Sequence, residues 1–324
     1  MVMGWLRLRG GGSNGQELVL RSSNGPIVAV LGLVGRGLMG IVKVGGICYM
    51  GLLAAAFTFQ RKILYFPDKS KIPAIRDLPA KYQLIEEFQV SPSSKVTVNG
   101  WYWPPLSPDS EQRHKCSLLY FHGNAGSRYN RLGLMNFLRS SLGVGICMID
   151  YRGYGGSTGS PSERGLIEDG KAAMLWLRNR LPEDHQIVLH LESIGSGVGA
   201  ALVGEAIVGK LPKPRAVIVE GGFSSIADVA ASQMPFLFPR LLLKDRYNNI
   251  SRVRGLSVED NIPFIFLHGE ADCIVPIELA RKLYNVLPEG ENEFVSWPNA
   301  DHNELPNFPG YAQRIDDFLQ RLGY

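Results

Sequence analysis

The chain has 324 residues, of which 45% are hydrophobic and 20% are charged. This composition excludes wholesale disorder and fits one large domain with an appendage, or two small domains. The net charge of +4 originates in residues 1–62, which hold seven basic residues and one acid. Because the rest of the chain is slightly acidic, it has no global field to attract a phosphate backbone, and we expect no nucleic-acid partner.

Residues 1–36 are predicted to form a flexible, Gly-rich basic leader. Residues 37–62 follow as a membrane segment, because 44–60 carry no charge. Seventeen helical residues rise about 26 Å, slightly less than a hydrocarbon core of about 30 Å. We expect a single-pass protein of the endomembrane system or plasma membrane, with the bilayer as a partner. A buried core helix and an organelle transit peptide are the alternatives, and the orientation stays open.

The four cysteines lie far apart in the sequence, without a C-x-x-C pair. They predict neither a disulfide framework nor a structural zinc site. We expect no metal and no organic cofactor. The residues concerned are Cys48, Cys116, Cys147 and Cys273.

From residue 80 to 324 short apolar strands alternate with amphipathic helices. Continuous apolar runs are typical of parallel strands that are buried on both faces. We therefore predict an α/β fold with an eight-stranded, mostly parallel sheet and helices on both faces. The predicted strands are 84–90, 95–103, 116–121, 144–150, 187–191, 215–220, 263–268 and 293–297. The predicted helices are 128–141, 162–180, 195–209, 276–287 and 309–321.

Three local patterns add detail to this reading. Ser160–Glu163 reads as a capping box with Pro161 at the first helical position. Residues 231–250 contain an apolar stretch with two prolines. They form either a small lid that favours acyl-chain substrates or a helix packed on the sheet. Asn249 begins a glycosylation sequon.

A serine at a sharp strand-to-helix junction is the strongest chemical signal. Ser193 follows an apolar strand and precedes a small-residue helix that starts near Gly195, as in a nucleophile elbow. The usual motif is G-x-S-x-G, but Leu191 stands where the first glycine is expected. A branched side chain normally has no room in this turn, so Leu191 predicts either a shifted backbone or a disabled elbow.

The partners that a serine nucleophile needs follow in the expected order. Asp272 lies just past one predicted strand, and His302 lies in the loop after the last strand. A serine hydroxyl becomes a good nucleophile when an imidazole takes its proton and a carboxylate fixes the imidazole tautomer. We therefore predict Ser193, His302 and Asp272 as a catalytic triad, in the chain order serine, acid, histidine.

The other histidines are assigned structural places. His114 and His185 are expected to face solvent, whereas His190 is expected to be a satisfied core residue. His268 is expected to make a structural hydrogen bond, and His122 begins a glycine-bearing turn.

That turn contains His122, Gly123 and Gly126, and it follows a central strand. A turn at this place can point a backbone amide at a developing oxyanion. We predict the amides of Asn124 and Ile194 as the two oxyanion donors. A plain strand-to-helix turn is the alternative.

A dinucleotide-binding fingerprint competes for the same residues. Residues 195–200 match G-x-G-x-x-A, and Glu220 ends the next strand about twenty residues on. The first glycine lies four residues beyond the strand end, however, and this reading leaves Asp272 and His302 unexplained.

In order along the chain, six short motifs resemble those of membrane-anchored α/β-hydrolase-domain proteins, of the Bem-type, serine-aminopeptidase-like branch that includes protein depalmitoylases. The stretch FQRKILYFP after the membrane run is also similar, so the resemblance covers about residues 55–320. The chain departs from the family at Leu191, and at Glu192, where arginine is common. The motifs are HGNAG, IDYRGYGGSTGSPSE, SIGSGVGA, GGFSSIADVA, LHGEADCIVP and DHNE.

The resemblance implies an α/β-hydrolase fold, the same triad, and hydrolysis of an ester or thioester through a covalent acyl-enzyme. The substrate would be an acylated small molecule, a lipid or an S-acylated protein, with a peptidase-type amide as a minor alternative. Because of Leu191, the competing function is a catalytically impaired, membrane-tethered interaction protein. The sequence does not predict the oligomeric state.

Overall fold

The computed structural model describes residues 25–105 and 115–323, with side chains from residue 39 onward. The chain divides into two compact units, residues 1–54 and 55–324. In the first unit the structure describes residues 25–54, all of which belong to helix α1 (Gly25–Leu64). The helix continues into the second unit. Within it, Met39–Leu64 is long and apolar enough to cross a membrane. Most of the predicted leader, including its glycine run, lies outside the described residues.

The second unit is built on a mixed sheet of eight strands. Their order in the sheet is β1-β2-β4-β3-β5-β6-β7-β8. Strand β2 runs antiparallel to both of its neighbours, and strands β3 to β8 are all parallel. The strands are β1 (Glu86–Ser93), β2 (Val96–Trp103), β3 (Cys116–Phe121), β4 (Gly145–Ile149), β5 (Gln186–Glu192), β6 (Ala216–Glu220), β7 (Phe264–Gly269) and β8 (Glu293–Trp297).

Helices cover both faces of this sheet, so that two hydrophobic layers enclose the parallel strands. One layer contains buried residues of α3, α4 and α8, and the other those of α2 and α9. The burial of β3 to β7 on both faces explains why their sequences are continuous apolar runs. The helices are α2 (Leu132–Leu142), α3 (Glu163–Arg180), α4 (Gly195–Ala206), α5 (Ile226–Gln233), α6 (Pro239–Leu242), α7 (Asn249–Val253), α8 (Ile277–Tyr284) and α9 (Tyr311–Arg321).

One local prediction is wrong, and the sequon noted in the sequence is buried. Helix α3 is capped by Ser162, whose hydroxyl accepts a hydrogen bond from the amide of Gly165, so Ser160 is not the N-cap and Pro161 is not helical. Asn249 of the sequon is fully buried in α7, where its side-chain amide donates to the Phe223 carbonyl. An asparagine held in this way is not accessible to glycosylation in the folded protein.

The segment after β6 consists of short helical pieces and turns. Helix α5 ends at Gln233, a single 3₁₀ turn follows at Pro235–Leu237, and α6 is only four residues long. Residues 231–250 are therefore a chain of short turns rather than one helix on the sheet. Their role as a lid remains a proposal.

Candidate active site

The turn between β5 and α4 presents Ser193. Its φ angle is +52°, a left-handed conformation that costs a non-glycine residue about 1–2 kcal/mol. The amide of Ser193 donates to the Glu220 carbonyl at 2.8 Å, which ties the turn to the end of β6. Strain of this kind persists only where surrounding contacts enforce it. Here it places the hydroxyl above the carboxyl edge of the sheet.

The glycines that follow Ser193 make room for neighbouring groups of the protein. A Cβ on Gly195 would collide with the Phe121 carbonyl, and a Cβ on Gly197 would overlap the ring of Tyr247. These close approaches explain the small residues of α4, which the dinucleotide fingerprint had attributed to a pyrophosphate.

Leu191 fits this elbow because Gly199 lies opposite. The Leu191 side chain is buried, and its methyl groups fill the space that a Cβ on Gly199 would occupy. The glycine missing two residues before the serine is thus matched by a glycine one helical turn into α4. The expected conflict between Leu191 and the turn is absent, and Ser193 keeps the strained conformation of an elbow.

The three residues predicted as a triad are joined by hydrogen bonds. Nε2 of His302 lies 2.9 Å from Oγ of Ser193. Nδ1 of His302 lies 2.6 Å from Oδ2 of Asp272. Asp272 and His302 are both buried, whereas Ser193 is partly accessible. The serine is therefore open to a substrate while the groups behind it are shielded from water.

The electrostatics of the pair suit a general base. Burial lowers the pKa of His302, but the hydrogen bond and charge of Asp272 outweigh it and raise this pKa above its ordinary value. Burial raises the pKa of Asp272, yet hydrogen bonds from His268 and His302 lower it well below the usual range. Asp272 is consequently ionised at neutral pH and stabilises the imidazolium form of His302.

Further donors fix the Asp272 carboxylate. Oδ1 accepts hydrogen bonds from the amides of Ile274 and Val275 at 2.9 and 2.7 Å. Nε2 of His268 lies 3.3 Å from Oδ2 and 2.9 Å from the Val275 carbonyl. His268 thus makes the structural hydrogen bond predicted for it, but its contact with Asp272 was missed. The spacing H-x-x-x-D at a strand end was the available signal.

The turn after β3 is held in place by two hydrogen bonds to the carbonyl of Asn124. Asn124 O accepts from the amide of Phe66 at 2.9 Å and from the Tyr154 hydroxyl at 2.7 Å. Within residues 25–105 and 115–323, the backbone amides of Asn124 and Ile194 have no acceptor. Both amides are therefore available to a ligand, as the predicted oxyanion donors require.

Arg131 joins this turn to the elbow. Its guanidinium donates to both carboxylate oxygens of Glu192, at 2.5 and 3.2 Å, and to the Ala125 carbonyl at 2.8 Å. Tyr120 adds a hydrogen bond to Glu192 at 2.8 Å. Gly123 lies against the Glu192 carboxylate, so a Cβ there would collide with it. The acid before Ser193 therefore anchors the turn after β3, a role that sequence reasoning missed.

The remaining histidines serve the framework. His122 is fully buried, and burial together with the charge of Arg131 lowers its pKa to about 4, so it is neutral. His190 is buried and bonds Glu220, as expected of a core residue. His185 is half-buried with its ring 3.0 Å from the Ser117 hydroxyl, so its expected solvent-facing position is wrong. His114 lies outside the described residues.

Gly126 completes the turn. Its φ is +86°, and a Cβ at this position would meet Arg131 and Asn130. A glycine is therefore needed both for the backbone conformation and for the approach of the guanidinium.

In the part of the chain that the structure describes, no group of three His, Cys, Asp or Glu side chains could hold a metal ion.

Comparison with known proteins places this geometry in context. A family model described as alpha/beta hydrolase fold matches residues 117–259. Protein bem46 of Schizosaccharomyces pombe is 30% identical over 302 residues, which is 89% of this chain and 96% of its own. An uncharacterized protein of Mycobacterium tuberculosis is 31% identical over 86% of this chain and 88% of its own.

A further relative is named as a lipase, and a similar solved structure is named as an esterase. The lysophosphatidylserine lipase ABHD12 of Gallus gallus is 32% identical over 61% of this chain and 58% of its own length. The Pyrococcus furiosus esterase Pf2001 is similar in structure, with a TM-score of 0.61 at 17% identity, over 80% of this chain and 100% of its own. The predicted fold class is confirmed.

Proposed function

Because the chain belongs to the α/β-hydrolase family, in its Bem46-type branch, we propose that it is a serine hydrolase that cleaves carboxylic esters or thioesters of acyl chains. The family resemblance predicted from the sequence motifs is confirmed by these relatives. The family supports hydrolysis of the esterase or lipase type. We propose in addition that Ser193 is the nucleophile, that it acts in a triad with His302 and Asp272, and that the reaction passes through an acyl-enzyme.

In the proposed reaction, Nε2 of His302 takes the proton of Ser193 as Oγ attacks the acyl carbonyl. The amides of Asn124 and Ile194 donate to the oxyanion of the tetrahedral intermediate. His302 then gives its proton to the leaving alcohol or thiol, and the acyl group stays on Ser193. A water that loses its proton to His302 releases the carboxylic acid and restores the serine.

Two observations favour acyl lipids among the substrates. One relative is named for a lipase that acts on a lysophospholipid. The apolar span Met39–Leu64 also fits a membrane or lipid setting. A lipid acyl ester is therefore the first choice, and a protein S-acyl group is the second.

The observation that carries the proposal is the hydrogen-bonded series Ser193–His302–Asp272 on a serine with positive φ. A merely structural serine would not need this strained conformation together with a buried imidazole and carboxylate. The accommodation of Leu191 against Gly199 supports an operative elbow.

Labelling with a fluorophosphonate probe tests the proposal, since the probe phosphonylates an activated serine. We expect the full chain to be labelled, and Ser193→Ala and His302→Ala to lose labelling. Ser232→Ala is the matched control, because Ser232 lies exposed on α5 and its hydroxyl donates to the Val229 carbonyl of the same helix. Folded wild-type protein that resists the probe would instead favour the membrane-tethered interaction protein.

A further inference from the structure

An apolar groove of about 410 Å³ lies beside the candidate site. One wall is the last part of α1, including Phe57, Ile63 and Leu64. The opposite walls are α5, the turns that follow it, and the loop at Cys273 and Ile274. The volume falls in the range of small-molecule sites, about 300–1,000 Å³.

Hydrogen bonds tie the groove walls to the candidate catalytic residues on two sides. The carbonyl of Leu64 accepts from the side-chain amide of Asn124 at 2.9 Å. The amide of Ile274 donates to the Asp272 carboxylate at 2.9 Å. The groove therefore adjoins both the oxyanion turn and the acid of the triad.

The turns that form the outer wall also carry a cluster of exposed apolar side chains. Phe238 and Leu241 are 53% and 76% exposed. Large apolar groups gathered on one short segment are unfavourable in water and mark a contact with another apolar phase. A hydrogen bond at the end of this segment connects it to α1. The Lys244 amide donates to the side chain of Gln60 at 2.6 Å.

The residues of the opposite groove wall indicate that this apolar phase is a lipid bilayer. Residues 56–64 belong to the range Met39–Leu64, which is long and apolar enough to cross a membrane. Lys62 and Lys244 lie over the rings of Phe59 and Phe57 at 5.5 and 4.1 Å. Lysines on aromatic rings at the end of an apolar helix are typical of a lipid–water interface.

We propose that the groove binds the acyl chain of a bilayer lipid, and that residues 234–243 dip into the bilayer so that the chain enters without crossing water. This inference rests on the proposed function, since the bound chain is the acyl group presented to Ser193. It assigns the substrate class, a lipid ester drawn from the membrane.

The first test is the dependence of hydrolysis on acyl length, from acetate to decanoate esters of p-nitrophenol, with the full chain. Burial of each methylene should raise kcat/KM roughly fourfold until the groove is filled. Ala230→Trp should fill the groove and flatten this dependence, so that the decanoate-to-acetate ratio falls at least tenfold. Ala231→Trp, one residue along α5 and outside the groove wall, should keep the wild-type ratio.

These outcomes separate the two proposals. A chain that hydrolyses acetate esters and reacts with the fluorophosphonate, but shows no dependence on acyl length, retains the hydrolase assignment and overturns the groove assignment. A ratio that Ala230→Trp leaves unchanged overturns it as well. A chain that neither hydrolyses the esters nor reacts with the probe overturns the proposed function itself.

The second test places an environment-sensitive fluorophore on the outer wall. The full chain, with Cys48 and Cys273 changed to serine, is reconstituted in phosphatidylcholine–phosphatidylserine vesicles and labelled at Leu241→Cys. We expect blue-shifted emission that brominated lipids quench. The control is Val208→Cys, which is 62% exposed just after α4, at the end of that helix far from Ser193. Equal emission from both positions would overturn bilayer contact.

Discussion

The side chain of Leu191 fills the space that the absent side chain of Gly199 leaves open. The two residues face each other across the turn at Ser193, one at the end of β5 and the other in the first part of α4. This pairing gives a branched side chain room two positions before the serine. The two positions should therefore be energetically coupled.

The coupling predicts the effect of Gly199→Ala. The added methyl group collides with Leu191 in a closely packed region, which costs about 1–3 kcal/mol of unfolding free energy. Leu191→Ala removes the obstacle, so the double variant should be more stable than the sum of the two single effects by about 0.5–3 kcal/mol. Urea unfolding, followed by circular dichroism, measures all three variants.

Gly133→Ala is the matched control for this cycle. Gly133 lies exposed in α2, where a Cβ meets nothing within 4 Å. In this helix alanine should be neutral or stabilising by up to about 1 kcal/mol. Strictly additive effects of Leu191→Ala and Gly199→Ala would contradict the packing argument.

The same pair of residues shows how far sequence reasoning reaches. The parallel strands were predicted within two residues of their ends, because burial on both faces leaves uninterrupted apolar runs. The order serine, acid, histidine placed Ser193, Asp272 and His302 at one edge of the sheet. The packing of Leu191 was not predicted, because it depends on Gly199, eight positions later and outside the motif.

Other features depended on contacts between residues far apart in sequence. Arg131 is 61 residues from Glu192, and nothing local to either one predicts their ion pair. The turns at 234–243 lack a helical period, since two prolines interrupt them. They contact α1, for example where the side-chain amide of Gln60 donates to the Leu242 carbonyl at 3.3 Å.

The ion pair between Arg131 and Glu192 gives a second prediction. Both side chains are 17% exposed, and the Arg131 charge outweighs burial to lower the pKa of Glu192. Arg131→Met should therefore cost about 3 kcal/mol, because the carboxylate loses its charged partner and keeps only the hydrogen bond from Tyr120. It should also slow fluorophosphonate labelling 10- to 100-fold, because the turn after β3, which carries the proposed oxyanion donor Asn124, loses its hydrogen bond at Ala125.

The variants that accompany Arg131→Met separate charge from fold. Adding Glu192→Gln should recover part of the lost stability but not the labelling rate, since the bond to Ala125 stays absent. Arg164→Met removes an exposed arginine that pairs with Glu168 one turn along α3 and should cost less than about 0.5 kcal/mol. Labelling by Arg131→Met at the wild-type rate would refute the positioning role.

His268 gives a third prediction. His268→Phe keeps an aromatic ring at this position but removes the hydrogen bond that helps to lower the pKa of Asp272. A less firmly held carboxylate should orient His302 less well, and we expect labelling to slow about tenfold, the effect of roughly 1.4 kcal/mol. His185→Gln alters a half-buried histidine that precedes β5, at the opposite edge of the sheet, and should leave the rate unchanged.

The pH dependence of labelling gives the fourth prediction. In the proposed reaction Ser193 attacks while His302 is neutral, and Asp272 raises the pKa of His302 above its ordinary value of 6.5. The rate should therefore be full at alkaline pH and should fall through a midpoint above 6.5 as the pH decreases. Asp272→Asn removes the charge that stabilises the imidazolium, so the midpoint should move to lower pH. The rate at alkaline pH should also drop about 10⁴-fold.

Glu270→Gln is the matched control, because it removes a carboxylate two residues from Asp272 that is exposed and hydrogen-bonded to Ser296. Its midpoint should coincide with that of the wild type, since the charge faces solvent and is screened. Stopped-flow labelling between pH 5 and 9 on the three proteins measures both quantities. A wild-type midpoint at or below 6.5, or an equal shift in both variants, would show that Asp272 does not set the basicity of His302.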